Sequence, residues 1–207
     1  MIKSTNTSIK LFTFVSAVML LFNHCKKPGC AGKGGSIATL SRKLDAFNHL
    51  LVSDNINVTL VQGDKEEIEI TAPGNILPNI TTNITQNVLT IANNTGCRWM
   101  RDASEKINVR LYFKELVRLD YQGSGLIDNA DTLRLPSLHI ESVNGAGEIN
   151  LALDNTYTGV YVRLENASVT LRGRSDVCFT YTNNRGITDM RDFIVRKMTI
   201  DYSGFKD

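Results

Sequence analysis

At 207 residues the chain is long enough for one domain with a core of its own, and a composition 42% hydrophobic and 21% charged, with four prolines, excludes global disorder and collagen-like structure. The formal charge of +2 comes from Lys3 and Lys10, because residues 1–24 contain no acidic side chain, so residues 25–207 are neutral. A neutral body lacks the long-range field on which nucleic-acid and anionic-membrane binding draw, and no nucleic-acid partner is expected.

Residues 1–10 are polar, and residues 11–22 form an apolar run that ends at Asn23, His24 and Cys25. A membrane-spanning helix needs about 20 apolar residues, so residues 1–24 read as an export signal peptide that is removed, not as a permanent span. The stretch Cys25-Lys26-Lys27 resembles the start of a bacterial lipobox protein, in which a Cys directly after the apolar region is acylated and becomes the new N-terminus. His24 departs from the small residue usual before that Cys. Cys30, after Gly29, is the other candidate, but Lys26 and Lys27 would then stand where the lipobox is apolar. The expectation is lipidation at Cys25, a linker over residues 25–40, and a membrane partner through the lipid anchor. The expected location is the outer membrane of a bacterial envelope, with its periplasmic and external faces both open.

Once Cys25 is acylated, Cys30, Cys97 and Cys178 remain, and an oxidising compartment points to one disulfide and one free thiol. Three pairings are open. Cys30 with Cys97 is favoured because both fall in Gly- or Asn-rich loop sequence, whereas Cys178 lies in the apolar segment 177–181. Closing that loop would stabilise by about 4 kcal/mol on the chain-entropy account. No pair has CxxC spacing, and His49 and His139 stand apart in sequence, so neither a metal nor another cofactor is expected. The basic residues from Arg98 to Arg110 are interleaved with Asp102 and Glu105 and read as a solvated face.

Helical periodicity is nearly absent after the leader, and period-two alternation recurs. Ile56, Val58 and Leu60 alternate with Asn57, Thr59 and Val61, and Ile107, Val109, Leu111 and Phe113 repeat the pattern. Turn signals lie between such segments at Gln62-Gly63-Asp64, Pro73-Gly74-Asn75 and Gln86-Asn87. Residues 47–113 therefore read as an antiparallel strand-and-hairpin sheet, within a β-sheet subdomain over residues 41–115.

From residue 116 the organisation shifts to a repeat. The stretch LVRLDYQGSGLI (116–127) aligns with LHIESVNGAGEI (138–149), 22 residues on, and weaker copies follow over residues 160–169, 178–187 and 198–205. No such unit buries its apolar side alone, so repeats of roughly 20 residues are expected to stack. The predicted fold is all-β: an antiparallel N-terminal sheet continuing, over residues 116–207, into a β-solenoid resembling a right-handed β-helix. Gly123, Gly125, Gly145 and Gly147 lack the following helix and the Lys or third Gly of a phosphate-binding loop. They are expected to take positive φ at repeat corners.

The strand NINVTLVQGD (55–64), the segment NILPNI (75–80) and the later GSG (123–125) and GAGEIN (145–150) occur together and in order. In these features residues 40–207 resemble the head GIN domain putative autotransporter adhesins. The resemblance implies an all-β, solenoid-like envelope protein, often lipid-anchored, without an assigned biochemical activity, and it carries over no functional residues. Members usually run on by another repeat, whereas here the last one opens at Met198 and stops at Asp207. The C-terminal end is therefore expected to be either truncated or an open edge that a partner seals.

The expected function is a non-catalytic, adhesin-like envelope module that binds a polysaccharide or an envelope protein. A carbohydrate-active enzyme is the alternative, with Asp120, Glu141, Glu148 and Asp154 as candidate carboxylates, although glycoside hydrolysis needs two of them about 5 to 10 Å apart across a cleft. A structural role through homo-oligomers is a third reading. The tripeptide Asp131-Thr132-Leu133 resembles a bacterial O-glycosylation acceptor and equally suits an ordinary turn.

Overall fold

A computed structural model of the protein describes residues 35–96, 106–163, 166–183 and 186–203. Contacts group the chain into two units, and the unit of residues 34–95 and 102–207 holds all the strands below. The predicted leader, Cys25, Cys30 and Cys97 lie outside the described residues.

The fold is all-β. In chain order the strands are β1 (Ile37–Lys43), β2 (His49–Asp54), β3 (Ile56–Gln62), β4 (Glu67–Pro73), β5 (Ile80–Thr85), β6 (Val88–Asn93) and β7 (Ile107–Phe113). They continue as β8 (Arg118–Gly123), β9 (Leu126–Asn129), β10 (Ser137–Val143), β11 (Glu148–Arg163), β12 (Ser168–Asn183) and β13 (Thr188–Tyr202). A 3-10 turn at Leu77–Asn79, with Pro78 in its first turn, precedes β5. All the strands belong to one mixed sheet, ordered β1-β4-β7-β3-β9-β11-β10-β8-β2-β6-β5, with β12 and then β13 added on β11.

Pairing departs from the antiparallel expectation for residues 47–113. The pairs β1·β4, β4·β7 and β5·β6 are antiparallel, but β2·β6 and β3·β7 are parallel, as are β2·β8 and β3·β9. Alternation reports which face of a strand is buried, not the direction of its neighbour. The Gln86-Asn87 turn does close the β5–β6 hairpin, and both residues have positive φ, 51° and 64°, which suits the twist of a two-residue connection.

The later strands are all parallel. The N-terminal part of β11 continues the series β3–β9, and its C-terminal part continues β2–β8–β10. Strands β12 and β13 follow β11 along both parts. Successive partners lie 20 residues apart where Leu138, Thr158, Cys178 and Met198 align.

The inward side chains of both series form one apolar cluster that includes Leu50, Val58, Leu119, Ile140, Ile149, Val160 and Cys178. Cys178 is buried and free, and burial pushes its thiol from the ordinary 9.0 up to about 11.

The glycine repeat obeys a different rule from the one expected. None of Gly123, Gly125, Gly145 and Gly147 has positive φ, whereas Asp54 (68°) and Asn144 (60°), at the corresponding turns, do. What excludes a side chain is the tier below. A methyl on Gly125 would land on the Ile56 carbonyl, and one on Gly147 on the Tyr121 hydroxyl and the Gly125 carbonyl. The 22-residue spacing holds at Leu126↔Glu148 and Ile127↔Ile149, but the preceding strands register at 21, with Leu119 on Ile140. An offset of 22 there would set Leu119 against Glu141 and turn a carboxylate inward, which the core forbids. Asn144, left-handed, absorbs the extra residue.

Candidate functional site

The outward side chains of the β2–β8–β10–β11–β12 series form the most elaborate polar cluster among the described residues. Register aligns His49, Arg118, His139, Gly159, Phe179 and Thr199 in one row across the strands. The next outward row is Leu51, Asp120, Glu141, Tyr161, Tyr181 and Asp201. Parallel strands about 4.8 Å apart therefore bring together groups that are tens of residues apart in sequence.

Two carboxylates anchor the cluster. Arg118 donates from Nε to Asp120 Oδ1 at 2.8 Å and from Nη2 to Glu141 Oε2 at 2.6 Å. The other Asp120 oxygen lies 2.7 Å from His49 Nε2. Glu141 also faces His139 Nε2 at 3.4 Å and, through Oε1, Arg163 Nε at 3.5 Å. Three of the four carboxylate oxygens thus hold a short contact to a cation or imidazole, and Glu141 Oε1 has the looser ion pair with Arg163. Both carboxylate side chains are largely covered, at 21% and 16% exposure.

Aromatic rings extend the cluster toward the last strands. His139 stacks on Tyr161 with centroids 4.4 Å apart, and Tyr161 meets Phe179 at 5.3 Å. Gly159 makes room for this, because a methyl there would press on the rings of Tyr161 and Tyr157. Arg163 lies over both Tyr161 and Tyr181, at 5.8 and 5.6 Å from the ring centres. Burial, with Tyr161 beside it, raises the Tyr157 phenol above its ordinary value.

Of the four carboxylates singled out in the sequence, Asp120 and Glu141 meet in this cluster. Glu148 is exposed at the start of β11, on the other series. Asp154 sits at the corner between the two series, where Arg174 grips it with both ends of its fork at 2.7 and 2.8 Å and holds its carboxyl below the usual range. Cys25, Cys30 and Cys97 fall outside the described residues, and the four repeat glycines line the turns. Sequence reading set His49 and His139 aside as isolated and did not single out Arg118, Tyr161, Phe179 or Tyr181. The signal that finds most of them is the 20-residue step that links His139, Gly159 and Phe179, and likewise Glu141, Tyr161 and Tyr181.

Chemically, this is an ion-paired, aromatic-edged surface with donors and acceptors of both signs. Among the described residues no group of three or more His, Cys, Asp or Glu side chains could hold a metal ion.

Solved structures share the fold, among them the following three. A putative adhesin from Bacteroides fragilis NCTC 9343 superposes with a TM-score of 0.75 at 19% identity, over 82% of this chain and 77% of that one. A putative adhesin from Parabacteroides distasonis ATCC 8503 gives 0.63 at 17%, over 83% and 81%. A protein from the same organism described as a putative lipid binding protein gives 0.61 at 16%, over 84% and 82%. No curated protein matches the chain. Residues 46–206 match the family model described as putative auto-transporter adhesin, head GIN domain, and the chain belongs to that family.

Proposed function

We propose that the protein is a non-catalytic binding module of the bacterial cell envelope that takes a polysaccharide or an envelope protein on the outward face of β2, β8, β10, β11 and β12. The observation that carries this reading is the occupancy of the carboxylates. Asp120 and Glu141 are adjacent, as a hydrolytic pair would be, yet Arg118 bridges them and His49, His139 and Arg163 surround them. Carboxylates held this way are fixed parts of an ion-pair network, and ion pairs flanked by tyrosine edges suit recognition of hydroxyl- or amide-rich surfaces.

The 20-residue steps support reading the parallel strands as tiers of a right-handed β-solenoid. The address of the module rests on residues 1–25: export, removal of residues 1–24, and anchoring of Cys25 in the outer membrane. Self-association is a second reading, favoured by the last strand, where Met198, Ile200 and Tyr202 are 41%, 66% and 63% exposed.

Immobilised full-length protein is expected to retain a polysaccharide or protein from envelope extracts that Tyr181→Ala, folded to the same thermal midpoint, does not. Equal retention by both, or by neither, removes the outward face from consideration. Intact mass spectrometry of membrane-extracted protein is expected to read a chain that begins at an acylated Cys25, and an unmodified Cys25 overturns the anchor.

A further inference from the structure

A second candidate site lies at the corner where the two strand series meet. The corner residues repeat every 20 positions: Arg134-Leu135-Pro136, Asp154-Asn155-Thr156, Arg174-Ser175-Asp176 and Ile194-Val195-Arg196. Together they line an open cleft of about 660 Å³ that runs along the stack, across the strands. We propose that this cleft binds an acidic polysaccharide, a sugar chain with a carboxylate or sulfate on some of its units.

The charge pattern is the first argument. Three guanidiniums face two carboxylates, a local positive excess on a body that is otherwise neutral. Their pairings are unequal. Arg174 is held bidentately by Asp154, but Arg134 stands 3.8 Å from Asp154 and Arg196 3.6 Å from Asp176, both beyond hydrogen-bonding distance. Arg134 and Arg196 are each 73% exposed, with planar forks that match a carboxylate or sulfate.

Spacing is the second argument. Arg134 and Arg196 lie three strand spacings apart, about 14 Å along the stack, within the length of a tetrasaccharide. A chain with its anionic group on alternate sugars presents two such groups over that span, one for each of the loosely held guanidiniums. The intervening carboxylates of Asp154 and Asp176 accept hydroxyl hydrogen bonds and would repel a polymer charged at every unit, which disfavours nucleic acid. Pro136 and the 77% exposed Ile194 supply apolar surface for the C–H side of sugar rings.

Titration calorimetry of the full chain with a hyaluronan tetrasaccharide, which carries a carboxylate on alternate sugars, tests this, beside a κ-carrageenan oligosaccharide sulfated on alternate sugars and neutral maltotetraose of equal length. The expected result is binding of the uronate or the sulfated probe that weakens as salt rises, with none of the neutral one. Arg134→Ala combined with Arg196→Ala is expected to weaken binding roughly tenfold or more at an unchanged thermal midpoint. Tyr181→Ala, on the other face, is expected to leave it unchanged, so this result is independent of the outward-face reading. Binding of maltotetraose as tight as that of the acidic probes, full retention by the double arginine variant, or no binding of either acidic probe at low salt would each overturn the proposal.

Discussion

At the scale of single residues, two kinds of constraint stand out: close approach and burial. Gly147 does not have positive φ, so its constraint is the Tyr121 hydroxyl, which itself donates to the Gly125 carbonyl at 2.6 Å. Gly147→Ala is therefore expected to cost about 1–3 kcal/mol through overpacking, read as a lower denaturant midpoint by circular dichroism, and an unchanged midpoint would rule the contact unimportant. Cys178 illustrates the second constraint. Its folded thiol titrates near 11 against an ordinary 9.0, so the folded state holds the proton more tightly than the unfolded chain does. The resulting stability is fully present below pH 9 and is lost as pH rises toward 11. Denaturation series across that window are expected to show a steeper decline for the wild type than for Cys178→Ala, and identical slopes would contradict the burial effect.

At the scale of elements, the last two strands make a controlled comparison. In β12 the inward row Cys178, Thr180 and Thr182 is at most 8% exposed, whereas the residues registered above it in β13, Met198, Ile200 and Tyr202, are open. The same positions change from core to surface because nothing among the described residues lies over β13. An exposed edge strand with an apolar row is prone to pair with another chain. Ile200→Lys is expected to reduce concentration-dependent scattering while leaving the thermal midpoint within about 0.5 kcal/mol equivalent, as surface substitutions do. Scattering that does not change would argue that β13 does not mediate association.

At the scale of the whole molecule, the boundary drawn between residues 115 and 116 falls inside a continuous sheet. β2 and β3 take their partners β8 and β9 from the far side of it, and β10 joins β8 to β11. A fragment of residues 35–115 would expose one side of β2 and β3 and lose the inward contacts of Leu119, Tyr121 and Ile127. It is expected to be unfolded by circular dichroism, and residues 35–207 to melt in one cooperative transition. An independently folded fragment would support two subdomains.

The strands around Ile56 and Ile107, their buried sides and the Gln86-Asn87 turn were legible in the sequence, because alternation and turn chemistry are local properties. The family resemblance rested on the same local motifs. Parallel against antiparallel pairing was not legible, since a half-buried strand alternates in the same way in either setting. The 21-residue register of β8 on β10 was hidden by glycines spaced at 22, and only the left-handed Asn144 reconciles the two. The candidate site was the least legible part. Asp120 was visible as a carboxylate and His49 as a lone histidine, 71 residues apart, and stacking placed them 2.7 Å from each other. The sequence by itself determined which side chains face outward. The tertiary structure alone decided which of them share a row, because a row is made by hydrogen bonds between strands and leaves no trace along the chain.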